Sequence, residues 1–191
     1  MRTLIVTEFM SLDGVIDSPG GGPHPHAGWT FKNLPFVPEA YEIKGREQLE
    51  AGALLLGRVS YDEFAPVWPG MAEFPQYNAM PKYVVSSTLG DAGSPGGPEW
   101  HDTTVLRSLD EVAQLKDGDG DPIIVHGSAT LAKGLAAAGL VDRYHLLLFP
   151  LLLGAGRRLF DDGHDALQKL DLVEHEVFSN GIIKAVYDVV R

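Results

Sequence analysis

Residues 123–140 read IIVHGSATLAKGLAAAGL, a β-branched run, a small-residue turn and a helical repeat in immediate succession. Ile123, Ile124 and Val125, bounded by Pro122 and Gly127, predict a short buried strand. Leu131, Ala132, Leu135 and Ala136 then recur at helical spacing, so the period changes at Gly127 and Ser128. Ser128 is expected to cap the helix, its hydroxyl accepting a free N–H of the first turn, and Gly139 to end it in a left-handed conformation. The N-terminus of such a helix attracts anions, because unpaired N–H groups and the positive end of the dipole both point there. Strand, turn and helix recur in many α/β proteins with unrelated functions, so the stretch decides the fold class before it decides a ligand.

Working outward, residues 3–9 are rich in Leu, Ile, Val and Thr and predict a central strand that ends in the polar turn SLDGVID. Residues 18–27, SPGGGPHPHA, predict a surface loop without regular structure, of the kind that covers active sites. A helix is expected over 38–51, with Pro38 in its first turn, and a second buried strand over 53–56. Gly57, Arg58 and Ser60 follow at once, and then Tyr61, Phe64 and Trp68 on a short helix that Pro66 and Pro69 curtail. Residues 82–86 form a third strand running into Ser86, Ser87 and Thr88, and 103–106 a short fourth. Ser108 and Glu111 have capping-box spacing for a helix over 109–116, each side chain expected to take the other's N–H. Downstream, 143–149 is a strand, 154–156 a tight turn, and 170–178 with 182–190 a hairpin across Ser179, Asn180 and Gly181. Strands alternating with helices imply a mostly parallel sheet covered on both faces, with the closing hairpin as an antiparallel edge. Ligands lie over the C-terminal ends of such strands, so the stretches after Phe9, Leu56, Val85 and Val125 should converge on one crevice.

Composition narrows the function classes. The 191 residues suffice for one well-buried core, and no composition break divides them, so a single domain over 1–191 is expected. At 45% hydrophobic, 21% charged and a mean hydropathy of −0.02, the chain reads as globular. Its longest apolar run, 146–153, is too short to cross a bilayer and is broken by Pro150, and MRTLIVTEF carries no signal-peptide block, so a cytoplasmic location is expected. The absence of cysteine excludes thiolate chemistry and disulfides. A formal net charge of −11 disfavours nucleic acid and anionic membranes as partners. The acidic turn DGDGDP lacks the glycine and glutamate of a calcium loop, having Pro122 and Ser128 at those places. His24 and His26, with His101 or His126, make no ligand set of metal-site spacing, so no metal is expected. GAGRRL lacks the last glycine of a Rossmann fingerprint.

Five segments in order, FMSLDGVID, LLLGRVSYDEF, PKYVVSS, IIVHGSATLAKGL and GLVDRYHLLLFPLLLGAGRRLF, resemble the dihydrofolate reductase superfamily. The likeness is to the branch of the C-terminal reductase domain of bacterial riboflavin biosynthesis, and it spans nearly the whole chain. The resemblance implies a three-layer α/β fold of the dihydrofolate reductase type, with a mixed, mostly parallel sheet of about eight strands and a C-terminal antiparallel hairpin. It implies NADPH as hydride donor, a small-molecule substrate and a homodimer. On the matched positions, Gly57, Arg58 and Ser60 belong to a phosphate-binding segment, and Ser86 and Ser87 to the strand end beside the adenosine ribose. Gly127, Ser128, Ala129, Thr130 and Leu131 belong to the turn under the pyrophosphate and nicotinamide. Phe9, Ile16 and Asp17 belong to the first strand end and the loop over the nicotinamide, and Gly154 and Gly156 to a turn near the cofactor or dimer interface. The family's common Gly-Gly is Gly127-Ser128 here, and an arginine usual in dihydrofolate reductases is Thr130, which leaves Arg58 as the candidate for the 2′-phosphate.

The cofactor carries hydride chemistry, so the protein's share is placement and a proton. In folate-reducing relatives an acid on the first helix supplies the polarisation, which makes Glu39 and Glu42 candidates, and Glu8 on the first strand is a third. Asp13 is a fourth, although an aspartate in SLDG also fixes its own turn. The expected activity is hydride transfer from NADPH to a small pterin- or pyrimidine-like heterocycle or carbonyl compound, resembling dihydrofolate and riboflavin-biosynthesis reductases. The alternative is a nucleotide-binding homodimer without catalysis.

Overall fold

The computed structural model describes residues 1–94, 96–160 and 167–191. The strands are β1 (Leu4–Ser11), β2 (Ala53–Gly57), β3 (Lys82–Val85), β4 (Thr103–Leu106), β5 (Ile123–His126), β6 (Arg143–Phe149), β7 (Leu170–Val177) and β8 (Ile183–Val189). The helices are α1 (Trp29–Lys32), α2 (Glu42–Glu50), α3 (Arg58–Phe64), α4 (Pro75–Ala79), α5 (Leu109–Asp117) and α6 (Ala129–Ala137). All eight strands form one sheet in the order β4-β3-β2-β5-β1-β6-β8-β7. The first six run parallel, and β8 and β7 add the antiparallel edge through the hairpin. This is the α/β fold of the dihydrofolate reductase type that the segments imply.

Alternation along each strand divides the core between the two faces. Leu4, Val6 and Met10 of β1 pack with Ile123 and Val125 of β5 and with Leu131, Leu135 and Ala136 of α6 on one face. On the other, Leu54 and Leu56 pack with Trp68, Tyr77 and Trp100, while Leu147 and Phe149 pack with Trp29, Ile43 and Val186. Two helices lie outside the sequence expectations: α1 and α4 have 4 and 5 residues, shorter than any window in which a helical period can be read. The helix expected over 38–51 is a 3-10 turn at Pro38–Tyr41 followed by α2. The capping box at α5 is offset, since Ser108 accepts from the N–H of Glu111 while the Glu111 carboxylate accepts from Arg107. Among the described residues, no helix is long and apolar enough to cross a membrane.

Residues 18–27 form no helix or strand. They are fastened at both ends: the Gly28 N–H donates to Ser18 O, Thr30 Oγ1 to Pro19 O, and the His24 ring bonds Ala155 O. The fully buried Trp29 donates its indole N–H to Asp17 O and packs edge-on against Phe149, so the loop is tied to the sheet.

Candidate active site

The C-terminal ends of β2, β3 and β5 meet around a cavity of about 440 Å³. Gly57, Arg58 and Ser60 form one wall, Ser86, Ser87 and Thr88 a second, and Ser128, Ala129, Thr130 and Leu131 a third. The structure thus brings together three stretches that are far apart in sequence, as the parallel topology requires. Phe9, Ile16, Asp17 and Gly127 are outside that lining. Arg157, which the sequence reading did not single out, adds a second guanidinium to the rim, held by Asp17 at 2.8 Å. The quoted GAGRRL carried the signal, but only tertiary contact shows which of its arginines turns inward.

At the β5–α6 turn the structure corrects the expected cap. Ser128 has φ 71° and ψ 47°, the left-handed region, and its side chain makes no cap hydrogen bond. Its hydroxyl instead accepts from Gly57 N–H at 2.9 Å and donates to His126 O at 3.3 Å, linking the ends of β2 and β5. The left-handed backbone explains why glycine suits this place, and the cross-strand bond explains what serine adds. Gly127 is also left-handed, at φ 62°, and a Cβ there would stand 3.3 Å from Ser60 Oγ. The helix end behaves as expected: Gly139, at φ 67°, donates to Ala136 O and Leu140 to Leu135 O. Ser128→Ala keeps the left-handed strain, about 1–2 kcal/mol, and loses the link, whereas Ser128→Gly loses both. Urea denaturation is therefore expected to show the alanine variant less stable by about 1 kcal/mol and the glycine variant near wild type.

Ser60 and Ser86 are buried, and Ser86 Oγ accepts from the N–H groups of Thr88 and Leu89, so it shapes the second wall while Ser87 and Thr88 stay exposed. Arg107 secures that wall from behind by donating to Ser86 O and Leu89 O. Arg58 donates through Nε to both carboxylate oxygens of Asp62, at 2.8 and 2.7 Å, which aims the guanidinium from the start of α3.

The acid candidates separate clearly. Glu42 is exposed at the first residue of α2, and Glu39 is exposed in the preceding turn; neither lines the cavity. Asp13 is used by its surroundings: its carboxylate accepts from Ser11 Oγ and from the N–H groups of Leu153 and Gly154, and Arg158 is 3.7 Å away. Burial would raise its pKa, but those hydrogen bonds bring it down to about 2, so Asp13 clamps the 11–15 turn to the 153–158 turn. Gly154 belongs to that clamp, and a Cβ on Gly156 would stand 2.7 Å from Val15.

Glu8 is 2% exposed and shares a face with Val6 and Met10 by alternation. Its Oε1 has no hydrogen-bond partner. Burial, opposed by Lys44 and reinforced by Glu47, pushes its pKa well above the ordinary carboxylate range. A carboxyl that keeps its proton in the folded state loses stability as pH rises above its unfolded pKa, because only the unfolded chain then ionises. Glu8→Gln is accordingly expected to be more stable than wild type near pH 8 and unchanged near pH 3, read by denaturation at the two pH values.

On the opposite face is a constellation that the sequence reading missed. Thr7 stands in register with His126 on β5 and with His145 on β6, so these three residues form a row across adjacent strands. Above it α2 supplies Lys44 and Glu47, three residues apart and therefore on the same helix face. Glu47 Oε1 accepts from Thr7 Oγ1 at 2.7 Å and from His145 Nδ1 at 2.8 Å, while Lys44 lies 3.5 Å from Oε2 and also donates to Thr7 Oγ1. Burial would raise the Glu47 pKa, but Lys44, His145 and Thr7 hold it at about 2, so the carboxylate stays charged. Burial and then Lys44 push His126 down to about 3, so its ring is neutral. That ring lies edge-on to Phe64 and Trp68, with Phe9 6.5 Å away, and Lys44 Nζ is 4.9 Å from the Phe9 ring centre. Tyr41 stacks on the exposed Phe31 and Phe36 and touches Phe9. The ends of β1 and β5 therefore carry an aromatic floor with one ammonium beside it.

A family model described as the RibD C-terminal domain matches residues 2–184. The uncharacterized protein YyaP of Bacillus subtilis (strain 168) is 37% identical over 197 residues, covering 97% of this chain and 94% of that protein. Among solved structures, a protein from Shewanella sp. PV-4 described under riboflavin biosynthesis superposes with a TM-score of 0.73 at 20% identity, covering 99% of each chain. A dihydrofolate reductase from Enterococcus faecalis, complexed with NADP(H) and RAB-propyl, superposes with a TM-score of 0.59 at 13% identity, covering 99% of this chain and 97% of that one.

Proposed function

The chain belongs to the RibD C-terminal domain family, and from that premise we propose that it is an NADPH-dependent reductase of a small heterocyclic or carbonyl compound. The observation that carries this reading is the cavity in which the 57–60, 86–88 and 128–131 stretches meet. Its residues suit a phosphorylated dinucleotide. The first-turn N–H groups of α6 are free of helical partners, and Arg58 and Arg157 supply cationic forks in an otherwise acidic chain. Bound there, NADPH would supply the hydride.

The residues of this chain do the rest. Ser128 holds the β2 and β5 ends at a fixed separation, Arg58 and Arg157 grip phosphate, and Phe9 and His126 form the floor against which the reacting rings are placed. The test is oxidation of NADPH in the presence of a panel of pterins, pyrimidines and dicarbonyls, followed by loss of the dihydronicotinamide absorbance. Turnover with one class of the panel is the expected result. The alternative, a nucleotide-binding dimer without catalysis, predicts NADPH binding with none of the panel reduced.

A further inference from the structure

We propose that Lys44 protonates the substrate as it is reduced, that Glu47, Thr7 and His145 are its positioning residues, and that the substrate is a planar conjugated ring bearing a C=N or C=O bond. This rests on the reductase reading above. None of the acids foreseen from the sequence serves in this way, since Glu42 is exposed on α2, Asp13 is consumed by a turn, and Glu8 is enclosed on the other face of the sheet. Lys44 combines three features that none of them has together.

Its side chain is 13% exposed, so the ammonium is neither enclosed nor free in water. It is held in place: Thr7 Oγ1 and Glu47 Oε2 take two of its hydrogens, and Glu47 is itself fixed by Thr7 and His145. An ammonium has three hydrogens, so one remains for a ligand. Finally, the place it reaches is the aromatic floor at the ends of β1 and β5, with Nζ above Phe9 and its charge felt by His126. Phe9, Tyr41 and Phe64 are half-buried, leaving aromatic surface for a flat ring to cover. Because Glu47 balances the charge, Lys44 offers a hydrogen-bond donor rather than a site for an anion, which favours a ring nitrogen or carbonyl oxygen over a phosphate.

The step balances. The ring carbon receives the hydride, the π pair of C=N or C=O moves to the heteroatom, and that atom takes a proton from Lys44 Nζ. NADPH, when bound, would supply those two electrons with the hydride, and water returns the proton to the neutral amine. Thr7 and Glu47 keep the nitrogen in place throughout.

The test uses the full chain and the planar dione lumazine, with binding read by tryptophan fluorescence. Wild type and Lys44→Arg are expected to bind lumazine alike, since both offer N–H donors, and Lys44→Met at least ~10-fold more weakly, with NADPH binding equal in all three. In hydride transfer to the ring that wild type reduces best, both variants are expected to lose ~10²–10⁴-fold, because a guanidinium keeps its proton. Rescue of binding without rescue of rate is a pattern that a purely structural lysine does not give. Lys44→Met leaves Glu47 buried without its cation, so Lys44→Met/Glu47→Gln carries the same measurements in a neutral core. Lumazine binding or hydride transfer at wild-type level in that double variant would overturn the assignment, and failure of wild type to bind lumazine would overturn the substrate class. If wild type fails to bind NADPH, the reductase reading itself falls, whatever lumazine does.

Discussion

Glu47→Ala is expected to unfold the protein at about 3–5 kcal/mol lower free energy than wild type, the largest loss anticipated for any single change at the site. The carboxylate is 1% exposed and is the common partner of Lys44, Thr7 and His145. Alanine leaves the Lys44 ammonium in a half-closed site with its counter-charge removed and two further donors without an acceptor. Glu47→Gln keeps the shape and one acceptor oxygen, so its loss is expected to be smaller. Acid should reproduce part of the effect. The folded pKa of about 2 lies below the ordinary value of 4.5, so the stability that Glu47 contributes is fully present above about pH 4.5 and is lost as pH falls towards 2. That interval corresponds to roughly 3 kcal/mol. In Glu47→Ala this component of the acid dependence disappears, which urea denaturation across pH would show. The opposite sign at Glu8 makes the two carboxylates distinguishable in the same experiment.

Arg58→Ala is expected to weaken NADPH binding by about 10–100-fold, the range given by loss of one or two charge-assisted hydrogen bonds. NADH, which lacks the 2′-phosphate, should lose much less. Arg58 is anchored by Asp62 through Nε, so its terminal nitrogens remain for a ligand at the mouth of the cavity beside Ser87 and Thr88. Isothermal titration with the two cofactors separates the contributions; equal losses for both would remove Arg58 from the 2′-phosphate. Arg157→Ala is a useful companion, because that arginine is shared with Asp17 and should contribute less.

Much of this arrangement can be read from the chain before any coordinates. The strands and the helices α5 and α6 are bounded by glycine, proline or capping residues and carry an unmistakable period, and the strand ends after Leu56, Val85 and Val125 do converge. The short helices α1 and α4 escape because 4 or 5 residues hold too little periodicity. Ser128 was legible as a turn residue but not as a left-handed one, since serine is a common helix cap and its true partner, the Gly57 N–H, is 71 residues away. The polar row escapes for a related reason. Thr7, His126 and His145 become neighbours only through the register of β5, β1 and β6, and local sequence does not encode which parallel strands lie side by side. The one local trace is the Lys44–Glu47 spacing on α2.

Substrate reduction as proposed requires NADPH to occupy the cavity between the 57–60, 86–88 and 128–131 stretches. Thermal unfolding followed as NADPH is raised to millimolar concentration tests this without knowledge of the substrate. A ligand at a hundred times its dissociation constant stabilises the native state by about 2.7 kcal/mol, which for a chain of this size is a rise of about 5–10 °C in Tm. Such a rise, reduced in Arg58→Ala, is the predicted result; an unchanged Tm in the wild-type protein would contradict the account.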